Sequence, residues 1–318
     1  MDTSKLPRYI YLDQNKWIDL HGALRGRPDR AEYRNVLSKL DSARRDGRAI
    51  IPFSAAHLLE APVARQDRRA GLGELVAYMS QGHSIAPVDA LSRVEVDRAV
   101  AHLFGELYLG EPPRPFGMGV NFAFGIPEKE FAEKLGSTPG MAQLVNAIMS
   151  SPRGVKLLYE QSGDLGLNKL LREHRQGWSV KWNRRREALR ASSREVRQRH
   201  YAAILTFHLQ ESLRTSAERV GKSLQDVFGM GSARLMGLIA DIPTADVETK
   251  LFTLRDQQWD RKAQPGDLVD IDFLAAAVVY CDVVVTERFW VKLVRHSGLD
   301  KKYRTEMLAN LAELELHL

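Results

Sequence analysis

Arg8-Tyr9-Ile10-Tyr11-Leu12-Asp13-Gln14-Asn15-Lys16-Trp17-Ile18 is the stretch whose reading decides the fold. Tyr9 to Leu12 is a run of β-formers ending on a carboxylate. A polar break follows, then an apolar pattern of helical spacing. The expectation is a buried strand that presents Asp13 at the C-terminal rim of a sheet. In open α/β sheets that rim is where ligands bind, so an acid there is a site candidate. Asp is also a favoured helix N-cap, and this segment alone leaves both roles open.

The same logic recurs near the end of the chain. Asp282-Val283-Val284-Val285-Thr286-Glu287 is a β-branched run that again stops on an acid. Between the two, Ala49 to Phe53 reads as a second short buried strand. Ser54 can cap a helix over Ala55 to Ala70, with Glu60 near its first turn. Strand, helices, strand, helix is the opening of a parallel α/β fold. From about residue 90 helical patterns dominate, interrupted by the Gly/Pro/Phe-rich stretch Gly110 to Gly119, which reads as a long exposed loop. Asp267 to Tyr280 has a helical apolar face, and Phe289 to His296 and Lys301 to Leu316 read as closing helices.

Length and composition narrow the classes. The chain has 318 residues, 44% hydrophobic and 27% charged, which suits a globular protein of one large or two moderate domains. No apolar run approaches the ~20 residues of a membrane helix, and Met1 to Pro7 lacks a signal-peptide core. The single cysteine, Cys281, excludes an internal disulfide framework and a multi-cysteine zinc site; beside a buried strand it reads as a small core residue. The expectation is a cytoplasmic protein. The nine histidines show no metal spacing, and no serine or cysteine nucleophile signature is present.

The formal net charge of +6 is unevenly placed. Between Lys181 and Arg199 stand Lys181, Arg184, Arg185, Arg186, Arg190, Arg194, Arg197 and Arg199, opposed by Glu187 and Glu195 and flanked by Trp178, Trp182 and Tyr201. A basic helix flanked by aromatics suits phosphate contacts and base stacking; the plainer reading is a solvated helix face. Lys181, Arg184, Arg185, Arg190 and Arg194 are the candidate nucleic-acid contacts.

Four acids stand out by position. Asp13 and Glu287 end apolar strands, Glu60 follows the second strand, and Asp270, with Asp272 beside it, opens the helix before the last strand. Strand C-termini and the helix starts that follow them share one edge of a parallel sheet. A helix start before a strand lies at the other edge by default, so Asp270 joins only if its helix is turned toward the rest. Clustered carboxylates raise one another's pKa unless a cation separates them. Hard oxygen ligands suit Mg²⁺ or Mn²⁺, ions that serve phosphodiester cleavage.

These residues resemble those of the PIN domain nucleases. The resemblance rests on four stretches in order: Tyr11-Leu12-Asp13-Gln14-Asn15; Phe53-Ser54 with Glu60; Asp267 to Asp272 followed by Ala275-Ala276-Ala277; and Tyr280 to Arg288. It implies a three-layer α/β/α sandwich with a parallel sheet, whose core halves would span 8–90 and 255–318 around a mostly helical insertion at 91–254. It also implies Mg²⁺ or Mn²⁺ held by Asp13, Glu60, Asp270 and Glu287, with Asp272 as an alternate ligand and Asn15 and Thr286 as orienting groups. Glu287 departs from the Asp of many relatives by one methylene. The implied activity is a metal-dependent endonuclease, with RNA favoured over DNA. The rivals are a flap or nicking DNA nuclease and a catalytically silent PIN-like module that binds nucleic acid or a protein. No membrane partner is expected, while an oligomer or an inhibitory protein partner stays open.

Overall fold

The computed structural model describes residues 6–60, 66–127, 130, 139–161 and 167–318; at 60, 66, 67, 139, 167–172, 174 and 175 the description extends to the backbone alone. The chain forms two compact units, one of Met1–Pro87, Pro115–Leu171 and Tyr280–Leu318, the other of Val88–Arg114 and Arg172–Val279. The fold is α/β.

Four parallel strands form the sheet of the first unit: β1 (Arg8–Leu12), β2 (Ala49–Ile50), β5 (Val283–Val285) and β6 (Glu306–Leu308), in the order β2-β1-β5-β6. A separate antiparallel pair joins β3 (His83–Ile85) to β4 (Phe116–Met118). The centre of the main sheet unites two segments that are remote in sequence, with Ile10 opposite Val283, Tyr11 opposite Val284 and Leu12 opposite Val285. Ile10, Tyr11 and Leu12 are all buried, as are Val283, Val284 and Val285, so this strand pair is covered on both faces. That is why both runs read as continuous apolar stretches rather than alternating ones. Below one face, Ile10, Leu12, Val283 and Val285 pack with Trp17 and Leu20 from the helix Gln14–Leu24 and with Val36 and Leu40 from the helix Tyr33–Arg45.

Several elements differ from the sequence reading. β2 holds two residues rather than five, because Phe53 leaves β1 and bridges Ser84 of β3 instead. The helix expected over Ala55 to Ala70 is two: Ala55–Glu60 and Gln66–Ser80. β4 forms the end of the stretch expected to be loop, and its Phe116 ring stacks on Tyr9 at 3.6 Å. β6 lies inside the segment expected to be one helix from Lys301 to Leu316. Three residues carry too little alternation to reveal a strand, and Met307 and Leu308 fit helical spacing with Leu311 and Leu314.

The stretch 115–171, expected in the insertion, belongs to the first unit, and 255–279, expected in the core, belongs to the second. The physical reason for the first is close helix packing. Pro152–Gln161 lies along Gln66–Ser80, where a Cβ on Gly73 would stand 2.4 Å from Tyr159 Cβ. Tyr159 is fully buried there.

The second unit is built of helices, and among the described residues it holds no strand. Val88–Leu103, Arg194–His208, Gln210–Arg219, Ser232–Asp241 and Pro243–Asp256 enclose a core of Val96, Val100, Leu205, Leu213, Leu238 and Ile239. A buried ion pair closes its other side: Arg255 Nη2 lies 2.6 Å from Asp267 Oδ2, both side chains out of solvent, and Arg261 joins at 2.7 Å. Asp267 also accepts the Gln264 backbone N–H, so it serves the turn at Pro265-Gly266.

Candidate active site at the carboxyl edge of the sheet

β1 and β5 end side by side, and each end delivers an acid. The Asp13 N–H still bonds to the Val285 carbonyl, so the ladder carries Asp13 and Thr286 to the same level. There the chain turns from strand to helix at both places: Asp13 is the N-cap of Gln14–Leu24 and Glu287 that of Arg288–Ser297. The strand-to-helix turns therefore point both carboxylates out of the carboxyl edge.

Specific donors hold them. The Thr286 hydroxyl donates to Asp13 Oδ2 at 2.9 Å, and the Gln14 N–H donates to Oδ1 at 2.7 Å. Asn15 Nδ2 donates to Glu287 Oε1 at 2.9 Å. The two orienting groups expected from sequence thus each bond a different acid. Asp13 is half-buried, while Asn15 and Glu287 are exposed. Burial raises the Asp13 pKa above its ordinary value. The bonds from Thr286 and Gln14 pull it down, the Glu287 charge adds to the rise, and the Lys16 charge opposes it. The cap reading and the carboxylate-site reading of Asp13 are therefore both consistent with its geometry. One oxygen serves the helix and the other is tied to the neighbouring strand.

The other expected ligands lie on other elements. Glu60 ends the helix Ala55–Glu60, and its side chain lies outside the described residues. That helix is anchored beside β1. Buried His57 takes the Ser54 N–H on Nδ1 at 3.0 Å and stacks on Tyr11, whose hydroxyl meets Ser54 Oγ at 3.3 Å. Burial pushes the His57 pKa down to about 3, so the ring is neutral at ordinary pH and serves as packing. Asp270 and Asp272 lie on Asp267–Tyr280, within the second unit. There Asp272 stands near buried Glu248, whose pKa rises well above normal through burial first and then through Asp272, Asp89 and Glu95. Among the described residues no group of three or more His, Cys, Asp or Glu side chains is placed to hold a metal ion.

The basic segment of the second unit departs from expectation. It is two helices, Leu167–Ala188 and Arg194–His208, because Ser193 caps the second with a bond to the Val196 N–H. Lys181, Arg184, Arg190 and Arg194 are exposed and Arg185 is half-buried. The flanking aromatics are not stacking platforms. Trp182 and Tyr201 are buried, Trp182 Nε1 donates to the Tyr201 hydroxyl, and both rings with Trp178 pack on Phe252. The i, i+4 spacing of Trp178 and Trp182 was a core signal, which adjacency to the arginines masked.

The comparisons decide nothing further. No family model, no curated protein and no solved structure matches the chain.

Two groups beside the site escaped the sequence reading. Lys16 donates to the Ala309 carbonyl at 2.9 Å while its charge acts on Asp13, and a lysine one turn into a helix carries no signal of that kind. Gln14 Oε1 is buried without a hydrogen-bond partner among the described residues, directly after Asp13. No helix among the described residues is long and apolar enough to cross a membrane.

Proposed function

We propose that the chain is a PIN-type metal-dependent endonuclease acting on RNA, with a three-layer α/β/α core. The observation that carries this reading is the pairing of Asp13 and Glu287 at the ends of adjacent parallel strands, each held by its own polar neighbour. The donor set suits Mg²⁺ or Mn²⁺. Such ions take one or two protein carboxylates and keep several waters, so two acids are a sufficient protein contribution. A cation would also relieve the desolvated, crowded Asp13 carboxyl, whose pKa otherwise rises.

On this reading Asp13 and Glu287 would hold the ion. The chemistry it supplies is activation of water and stabilisation of the leaving oxygen in phosphodiester cleavage. The chain's own groups do the positioning. Thr286 and the Gln14 N–H fix the Asp13 carboxylate and leave each oxygen a free lone pair. Asn15 restrains the longer Glu287 arm, which offsets the freedom of the extra methylene. Glu60, Asp270 and Asp272 are carried as further candidate ligands, and the exposed Lys181, Arg184, Arg190 and Arg194, with half-buried Arg185, as contacts for substrate phosphates.

The test is incubation of labelled RNA and DNA with purified protein in Mn²⁺ or in EDTA, beside Asp13→Asn, Glu287→Gln, Glu60→Gln and Asp270→Asn. The expected result is RNA cleavage in Mn²⁺, none in EDTA, and loss of at least about a hundredfold in Asp13→Asn. Cleavage that persists in EDTA would end the metal reading. A second reading, a silent module that binds nucleic acid, is favoured by one observation: Asp13 already has a structural task as helix cap. RNA binding with no cleavage of any substrate would support it.

A further inference from the structure

Trp259, in the second unit, stands among three guanidiniums. The carbon Cζ of Arg186 lies 4.9 Å from the ring centroid, that of Arg190 5.5 Å, and that of Arg197 5.8 Å. The cluster is assembled from separate elements: the end of Leu167–Ala188, the turn after it, the first turn of Arg194–His208, and the segment after Pro243–Asp256. Two of the cations are fixed by backbone carbonyls rather than by acids. Arg186 donates to the Asp256 and Gln258 carbonyls, and Arg197 donates to the Ser192 carbonyl. Arg190 bonds Glu187 at 3.2 Å. The Asp256 carboxylate acts on Arg186 through its charge, so three positive charges are gathered against one bonded carboxylate and one nearby among the described residues.

Gathering like charges is unfavourable unless an anion comes between them. Cation–π attraction to the indole offsets part of that cost, about 0.5–2 kcal/mol for each contact. It does not account for a second observation: Arg197 Nε is buried and has no hydrogen-bond partner among the described residues. A buried unpaired donor on a charged group is costly, and an anionic oxygen would satisfy it. One turn further on the same helix face, His200 Nε2 is likewise buried with no partner among the described residues. Trp259 remains partly accessible, and Arg190 is exposed, so a ligand can reach the cluster from solvent.

We infer that Arg190, Arg197 and Trp259 form a phosphate-binding site for single-stranded nucleic acid, with a backbone phosphate on the two guanidiniums and a base beside the indole. Forked guanidiniums match phosphate geometry, and an indole next to them adds a sequence-tolerant stacking surface. An acidic peptide would use the charges but not the ring. The site deepens the reading of the chain as an RNA enzyme. It replaces the stacking role that the buried Trp182 and Tyr201 do not fill.

The test is fluorescence anisotropy of a short labelled oligouridine with the full chain in EDTA, over a salt series, beside Arg197→Gln, Arg190→Gln, Trp259→Leu and Trp259→Phe, each checked for fold by circular dichroism. Arg197→Gln and Trp259→Leu are expected to weaken binding about tenfold, while Trp259→Phe keeps most of it. Each arginine variant should also lower the slope of log affinity against log salt by roughly 0.7, as for one lost phosphate contact on a single strand. If Arg197→Gln does not fold, exposed Arg190 decides the matter. Wild-type affinity and slope in folded Arg190→Gln and Arg197→Gln would overturn the inference. So would displacement of the RNA by polyglutamate at equal charge, which would assign the cluster to acidic protein. Binding in EDTA is independent of cleavage. Loss of binding in these variants, beside a wild type that cuts nothing, therefore defeats the nuclease reading and leaves the phosphate site standing.

Discussion

Several structural roles converge on the single residue Asp13. It closes a strand, caps a helix, accepts from Thr286 and faces a second acid. Its raised pKa has a definite thermodynamic sign. The native state binds this proton more tightly than the unfolded chain does, so the group's contribution to stability falls as pH rises from about the normal carboxylate range through the raised value. Asparagine keeps a cap and removes the charge. Asp13→Asn is therefore expected to melt at least as high as wild type in EDTA at neutral pH, with the advantage vanishing at acid pH. Mn²⁺ should raise the wild-type melting temperature and leave the variant's unchanged. A variant that melts well below wild type at neutral pH would show that the charge itself supports the fold. The rim positions of Asp13 and Glu287 were legible in sequence because continuous apolar runs mark buried strands and the acid that ends such a run marks the rim. Lys16 and His57 were not legible, since their partners are backbone and ring groups that only the fold brings near.

Elements pack here through features that a period cannot report. Gly73 lets two helices close on one another, and a Cβ there would overlap Tyr159. Gly73→Ala is expected to destabilise by about 1–3 kcal/mol, the usual cost of overpacking, read as a fall in the denaturation midpoint with an unchanged slope. The start of Asp267–Tyr280 is tied to Arg255 by an ion pair with no access to solvent. Asp267→Asn leaves a buried guanidinium short of its counter-charge and should cost about 3–5 kcal/mol, whereas the exposed pair Arg190–Glu187 should cost under about 1 kcal/mol when broken. Thermal melts of Asp267→Asn and Glu187→Gln side by side check both. Helices of the second unit were foreseen in kind, yet the break at Ser193 was hidden by a run of arginines that favours helix on either side. β6 was hidden for the opposite reason: its two apolar residues satisfy a helical period as well as a strand's.

Over the whole molecule, the division into two units places the pair of strand-end acids in one and the arginine-ringed tryptophan in the other. Cleavage and binding should accordingly separate by mutation: Asp13→Asn is expected to abolish cutting with RNA affinity within about twofold of wild type, and Arg197→Gln to do the reverse at saturating RNA. Equal losses in both assays from either change would contradict that separation. The pairing of β1 with β5 has a consequence for synthesis. Asp13 and Thr286 lie 273 positions apart. At about 5–20 residues per second, the ribosome needs on the order of tens of seconds to bring the second to the first. For that interval β1 has an open edge, and its acid lacks Thr286 and Glu287. On the proposed function, a growing chain, or one released early, is harmless to the RNA that encodes it. On that reading catalytic competence would arrive only when translation has run through Glu287, so the topology itself would act as a check on completion.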